Sequence, residues 1–291
     1  MGIDNFPVYK PGDIIDLSRF EKDKREKELT KEKNLEAYIP LLNELLGNIA
    51  EKNNVDFPGF LDSDNRISVN GADLEKDIAS INKVESSFSR REGLSREVWS
   101  RNKEKDPSNL TEIAITILLN KVLGDDFIVA RSSKFDDYKH GVDQVIIYKP
   151  SGEVVCGIDE VILKTGDHDS ESKSEKLQKI MESGGATVKY GARLDSSVVK
   201  TAEKKYDIKD HLVRSHVSNV PAFYMAISKL ELGELLENIK NSPNQISEFE
   251  WKTFNKLFES LESQASKQNL EGDLKIKTES MLAKFKEAKE Q

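Results

Sequence analysis

Residues 110–123 (LTEIAITILLNKVL) form a helical segment that is apolar almost all the way round, with Ile113, Ala114, Ile115, Ile117, Leu118, Leu119 and Val122 spread over every face. A helix of that kind has to be buried on most of its sides. Asp106-Pro107-Ser108-Asn109 before it is stop-and-cap chemistry, and Gly124 closes it. The chain beyond Gly124 must therefore supply cover, and there the period changes. Three β-branched runs, 127–132, 142–148 and 153–163, are separated by the turn residues Lys134-Phe135-Asp136-Asp137 and Pro150-Ser151-Gly152. The short second connection predicts that 142–148 and 153–163 pair as an antiparallel hairpin. A polar helix over 171–183 ends at Gly184-Gly185, and 187–194 and 220–228 read as further strands before a helix over 230–239.

The flanks are helical. Upstream, Leu35, Ile39, Leu42, Leu46 and Ile49 recur at helical spacing, as do Ile78, Ile81, Val84 and Phe88, and Trp99 falls in a second short helix after Gly93. Residues 1–20 read as an extended lead-in, 17–33 as a solvated charge run and 53–71 as loop. Within that loop Asp62, Asp64 and Arg66 lack the Gly and the terminal Glu of a calcium-binding loop. Downstream of Pro243, one stripe (Phe254, Leu257, Phe258, Leu261) and another (Leu274, Met281, Leu282, Phe285) flank Gly272, which predicts a helical hairpin. The expected organisation is a helical region over 1–107, an α/β (α+β) core over 108–240, and a helical hairpin over 241–291.

Composition narrows the function classes. The chain has 291 residues and a net charge of −8, which argues against a simple nucleic-acid coat protein. No apolar run approaches the roughly 18 residues of a membrane span, and the N-terminus lacks a secretory pattern, so a cytoplasmic protein is expected. Cys156 is the sole cysteine, which leaves no internal disulfide and no cysteine-rich zinc site. His140, His168, His211 and His216 show no recurrent ligand spacing, and the common nucleotide-binding, zinc-protease and serine-hydrolase signatures are missing.

Acids set into apolar elements stand out instead. Glu112 lies in the apolar helix, Asp143 in the strand 142–148, and Asp159 and Glu160 in the strand 153–163. A carboxylate is costly to bury unless it is paired or holds a metal. Strand alternation puts Asp159 and Glu160 on opposite faces unless a bulge intervenes. Gly157 leaves room beside Asp159, which favours Asp159 as the inward ligand, with Glu160 the fallback.

This order of residues over 108–240 resembles the PD-(D/E)XK, or restriction-endonuclease-like, nuclease superfamily. In that family a helix bearing a Glu precedes a β-meander, with an Asp on the second strand and a (D/E)xK triplet on the third. Glu112, Asp143 in GVDQVI and Asp159 in VCGIDEV match those positions. The resemblance implies a restriction-endonuclease-like mixed β-sheet and metal-assisted phosphodiester hydrolysis of DNA or RNA. Glu112, Asp143 and Asp159 would hold Mg²⁺, and Glu160 would assist. The triplet's lysine position holds Val161, and starting the triplet at Glu160 puts Ile162 there. Lys164 is the expected substitute, with Lys134, Lys139 and Lys189 as others within reach, while Asp136, Asp137 and Arg131 would shape the site or touch substrate. The competing expectation is a catalytically silent core whose helical flanks bind a partner.

Overall fold

The apolar helix, α4 (Pro107–Leu123), is buried at every residue from Leu110 to Asn120. In the computed structural model, which describes residues 35–53, 55, 59–163, 169–194, 212–268 and 270–290, it is enclosed by a sheet on one side and helices on the others. It starts earlier than its apolar run. The Asp106 side chain caps it by accepting from the Ser108 N–H at 2.8 Å, and Pro107 takes the first position, where no N–H partner is needed. Glu112 consequently sits in the second turn, beyond the first turn where the helix dipole favours an acid.

The sheet has the order β1-β2-β3-β6, built from β1 (Phe127–Arg131), β2 (Gln144–Tyr148), β3 (Glu153–Leu163) and β6 (Ala222–Ser228). The first three strands form an antiparallel meander, as the short connection predicts for β2 and β3, and β6 runs parallel to β3. The residues read as a turn after β1 are instead a helix, α5 (Lys134–His140). Ser133 caps it, accepting from the Asp136 N–H, and Gly141 ends it in the left-handed conformation at φ +65°. Strand β2 begins one residue after Asp143, so Asp143 precedes the strand rather than interrupting it.

Strand β3 carries the bulge that simple alternation omits. Ile146 pairs with Cys156 but Ile147 pairs with Val154, so Val155 is the extra residue. Val154 packs on the face away from α4, while Cys156 and Ile158 pack on the α4 face. Glu160, two residues on, follows them to the α4 side. The room left by Gly157 is taken up on the other face: a Cβ there would meet the Val142 side chain at 3.1 Å.

Both faces of the sheet are covered. On one, Phe127, Val129, Ile146 and Phe223 meet α4, α1 (Ile39–Lys52) and α7 (Lys229–Asn241). On the other, Ile128, Val145 and Ile147 meet Leu177 and Met181 of α6 (Asp169–Glu182) and the two-stranded sheet of β4 (Ala186–Leu194) and β5 (Leu212–Val220). Sequence pattern does not announce β5, because five of the nine residues in its run LVRSHVSNV are polar.

The C-terminal helices α8 (Glu248–Lys267) and α9 (Gly272–Lys289) bury Phe254, Leu257, Phe258, Leu261, Leu274, Met281 and Phe285. They meet at Phe258 and Phe285, whose ring centroids are 6.3 Å apart, and both lie against α4. Glu250, fully buried on α8, pairs with Lys121 of α4 at 2.6 Å. Upstream, α2 (Leu74–Arg91) and α3 (Arg96–Lys105) are joined by Phe88 stacked on Trp99. No described helix is long and apolar enough to cross a membrane.

Candidate functional site

At one end of the sheet the α4 face turns polar. Arg131 closes β1, Gln144 opens β2 opposite it, and Glu160 lies on β3. The Gln144 amide donates to the Glu112 carbonyl at 3.0 Å and to the Thr116 hydroxyl at 2.8 Å, which pins the second turn of α4 to the strand ends. Asp143 is fixed across the strands in the same way. Its N–H donates to the Ile158 carbonyl at 2.8 Å, and its Oδ2 accepts from the Glu160 N–H at 2.9 Å. The Asp143 side chain thus bonds β3 just before β2 begins at Gln144.

Glu160 and Asp143 line a cavity of about 220 Å³ together with Glu112, Asp137, Asp159 and two lysines, Lys103 and Lys176. The acids around it are in opposite electrostatic states. Burial alone would push the Glu112 carboxyl up, but Arg66 and Arg131 outweigh it and hold it down to about 2. The Arg66 guanidinium donates to Glu112 Oε1 at 2.7 Å, and that of Arg131 donates to Oε2 at 2.6 Å. Burial and then the neighbouring Arg66 push the Arg131 guanidinium below its usual range. Asp137 is pushed well above the ordinary carboxylate range by burial and by Asp143, against the pull of Arg66 at 3.6 Å. Glu160 is pushed up likewise, by burial and then by Asp143 and Glu112. The proximity of Asp143 thus adds to burial in both shifts, and both favour the protonated form of Asp137 and Glu160.

Among the described residues, Glu112, Asp137 and Asp143 each offer one carboxylate oxygen, and these oxygens lie within 4.8 Å of one another. Asp159 is half-buried and lines the same cavity without joining that close set. Val161, at the position of the triplet's lysine, is a buried core residue. Lys164 lies outside the described residues. Lys134 pairs with Asp64 at 2.9 Å, and Lys189 with Asp77 at 2.5 Å and Asp73 at 2.9 Å, so neither lines the cavity. The ammonium that reaches it from the far side belongs to Lys176 of α6. It lies over Gly141, where a Cβ would come within 2.8 Å of Nζ.

Asp136 is fully buried and structural. It accepts from the backbone N–H groups of Lys189 and Tyr190 at 2.7 and 3.0 Å, and contacts His140 Nδ1 at 2.8 Å. Burial pushes the Cys156 thiol up, which leaves it inert in the core.

Arg66 carries no sequence signal beyond its Asp-rich loop. Asp62 Oδ1 accepts from the Asp64 and Arg66 N–H groups at 2.9 and 3.0 Å, folding the loop so that it docks on β1 with the Ile67 N–H on the Arg131 carbonyl. Lys103 and Lys176 sit in polar helices whose pattern is that of ordinary solvated faces. In comparisons with known proteins, no family model matches the chain, and no curated protein or solved structure matches it either.

Proposed function

We propose that the chain is a nuclease-like protein with a restriction-endonuclease-like core, which hydrolyses phosphodiester bonds of DNA or RNA with the help of Mg²⁺. The observation that carries this reading is the convergence of Glu112, Asp137 and Asp143 beside Glu160 at one mouth of the sheet. The element order supports it as well: a Glu-bearing helix, an antiparallel three-strand meander, a helix, and a strand parallel to the third. The donor set fits a hard divalent cation, being oxygen-only, with three carboxylate oxygens within 4.8 Å of one another. Asp137, Asp143 and Glu112 are the residues that would hold it, and Mg²⁺ there supplies Lewis-acid polarisation of a phosphoryl oxygen.

The chain's own residues do the rest. Gln144 and the Glu160 N–H fix the two sides of the site against each other. Arg66 and Arg131 hold Glu112 ionised and immobile. Lys176 and Lys103 place two ammonium groups at the mouth, where a phosphate's charge is met, in the role expected of Lys164.

A second reading is favoured by one specific feature. Glu112 is already satisfied by two arginines, as it would be in a catalytically silent core that acts by binding. One experiment separates the two: cleavage of single- and double-stranded DNA and RNA in Mg²⁺, in Mn²⁺ and in EDTA, with wild type and Asp143→Asn. The nuclease reading expects metal-dependent cleavage that the variant loses by more than the roughly 10–100-fold typical of removing a ligand's orienting partner. No cleavage of any substrate leaves the binding reading.

A further inference from the structure

A second cavity, of about 390 Å³, opens beside the acidic one, and Lys103 and Asp137 line both. Its size lies within the roughly 300–1,000 Å³ of small-ligand pockets. Its walls are aromatic. Phe88 of α2 stacks on Trp99 of α3 with centroids 6.0 Å apart, and Tyr138 of α5 meets the Phe88 edge at 6.3 Å and 79°. The Arg91 guanidinium lies 5.2 Å from the Phe88 centroid, and Asn102 adds an amide at the rim. Trp99 is anchored through its Nε1–H to Glu92 at 3.2 Å, so the ring is held in place.

The lining itself sets Arg91 and Lys103 against Glu92, Asp106 and Asp137, and the positive excess lies on the segment that frames it. Residues 90–105 carry six Lys/Arg against three Glu, in a protein whose net charge is −8. Aromatic planes, a cation and an amide next to a basic helix are the chemistry that receives a nucleobase while its backbone is held electrostatically.

We infer that this cavity takes an unpaired base of the nucleic-acid strand whose phosphate lies at the acid cluster, with Lys103 serving both. The assignment rests on the phosphodiester reading of that cluster. A base stacked inside a duplex does not enter such a cavity, so single-stranded or unpaired segments are the substrate class. DNA and RNA share the chemistry of the base face.

The test uses the full chain with Trp251→Phe, which leaves Trp99 as the only tryptophan. End-labelled single-stranded DNA and RNA 12-mers are titrated in Ca²⁺ and in EDTA, following Trp99 emission and the anisotropy of the label. Single strands are expected to quench Trp99, and blunt duplex is not. An abasic site at the responding position, or Tyr138→Ala, should weaken binding about 5- to 150-fold, the range of losing one stacked base. Asn102→Ala, at an exposed residue that does not endanger the fold, should change the preference among the four bases at that position. Strand binding that leaves Trp99 emission unchanged, equal affinity for the abasic strand, or no binding at all overturns the inference. The two readings fail separately. Quenching in EDTA without metal-dependent cleavage removes the nuclease reading, whereas cleavage with unresponsive Trp99 removes the base pocket alone.

Discussion

On the α4 side of the acidic cavity, Glu112 is buried yet held down to about 2, because Arg66 and Arg131 both grip it. Across the same cavity, Asp137 and Glu160 are pushed up, because Asp143 adds to the effect of burial instead of opposing it. Burial raises all three carboxyls, and the sign of the outcome is decided by the partner. The clamp around Glu112 is internally compensated and belongs to the fold. Around Asp143 no arginine outweighs burial, so the Asp137 and Glu160 carboxyls are raised toward their protonated forms.

Breaking the clamp should do the most damage. Glu112→Gln leaves Arg66 and Arg131 buried against each other, and should cost about 3–5 kcal/mol in urea unfolding, the range for stranding a buried charge. Phe258→Ala, in the apolar packing of α8, sets the benchmark at about 3–5 kcal/mol. A Glu112→Gln protein as stable as wild type would mean that the arginines are solvated and that the two sides of the cavity do not differ.

The pH dependence of stability separates the two sides further. A group lowered on folding, as Glu112 is, contributes stability that is present above the ordinary carboxylate range and lost as pH falls toward about 2. Groups raised on folding, as Asp137 and Glu160 are, contribute in the opposite sense. Their contribution is present at acid pH and lost as pH rises from the ordinary carboxylate range through their raised values. In EDTA, Asp143→Asn should therefore raise the unfolding midpoint at neutral pH and flatten its decline with rising pH. The asparagine Oδ1 still accepts from the Glu160 N–H, so the change removes charge without removing that hydrogen bond. A midpoint lowered by the substitution at neutral pH would show that Asp143 is compensated in another way. The mildest change belongs to Asp159→Asn, which should stay within about 0.5 kcal/mol, since the side chain is half-buried and outside the close acid set.

The centre of the fold can be read from the sequence, and the parts that cannot have physical causes. The all-round apolar character of 110–123 requires a buried centre, and the Pro150-Ser151-Gly152 turn requires the β2–β3 hairpin. Glu112 and Asp143 stand out because carboxylates in apolar elements need a reason. Alternation from Cys156 through Ile158 does put Glu160 on the α4 side, but the choice of Asp159 rests on the room at Gly157, which the Val142 side chain takes up. Asp136-Asp137 is turn-like in composition, whereas capping by Ser133 makes the pair the first turn of a helix and aims Asp137 at the site. Arg66, Lys103 and Lys176 come from distant parts of the chain, and no local pattern encodes such a meeting.

The metal site proposed at Asp143 rests on one exchange: a divalent cation takes the place of the protons that the raised Asp137 and Glu160 carboxyls hold. Isothermal calorimetry of Mg²⁺ and Mn²⁺ binding at neutral pH, run in two buffers of different ionisation enthalpy, measures both the binding and the protons released. The expected result is one saturable site with net proton release in wild type, and weakened binding with less release in Asp143→Asn. No binding in either protein, equal binding in both, or binding without proton release would contradict the exchange.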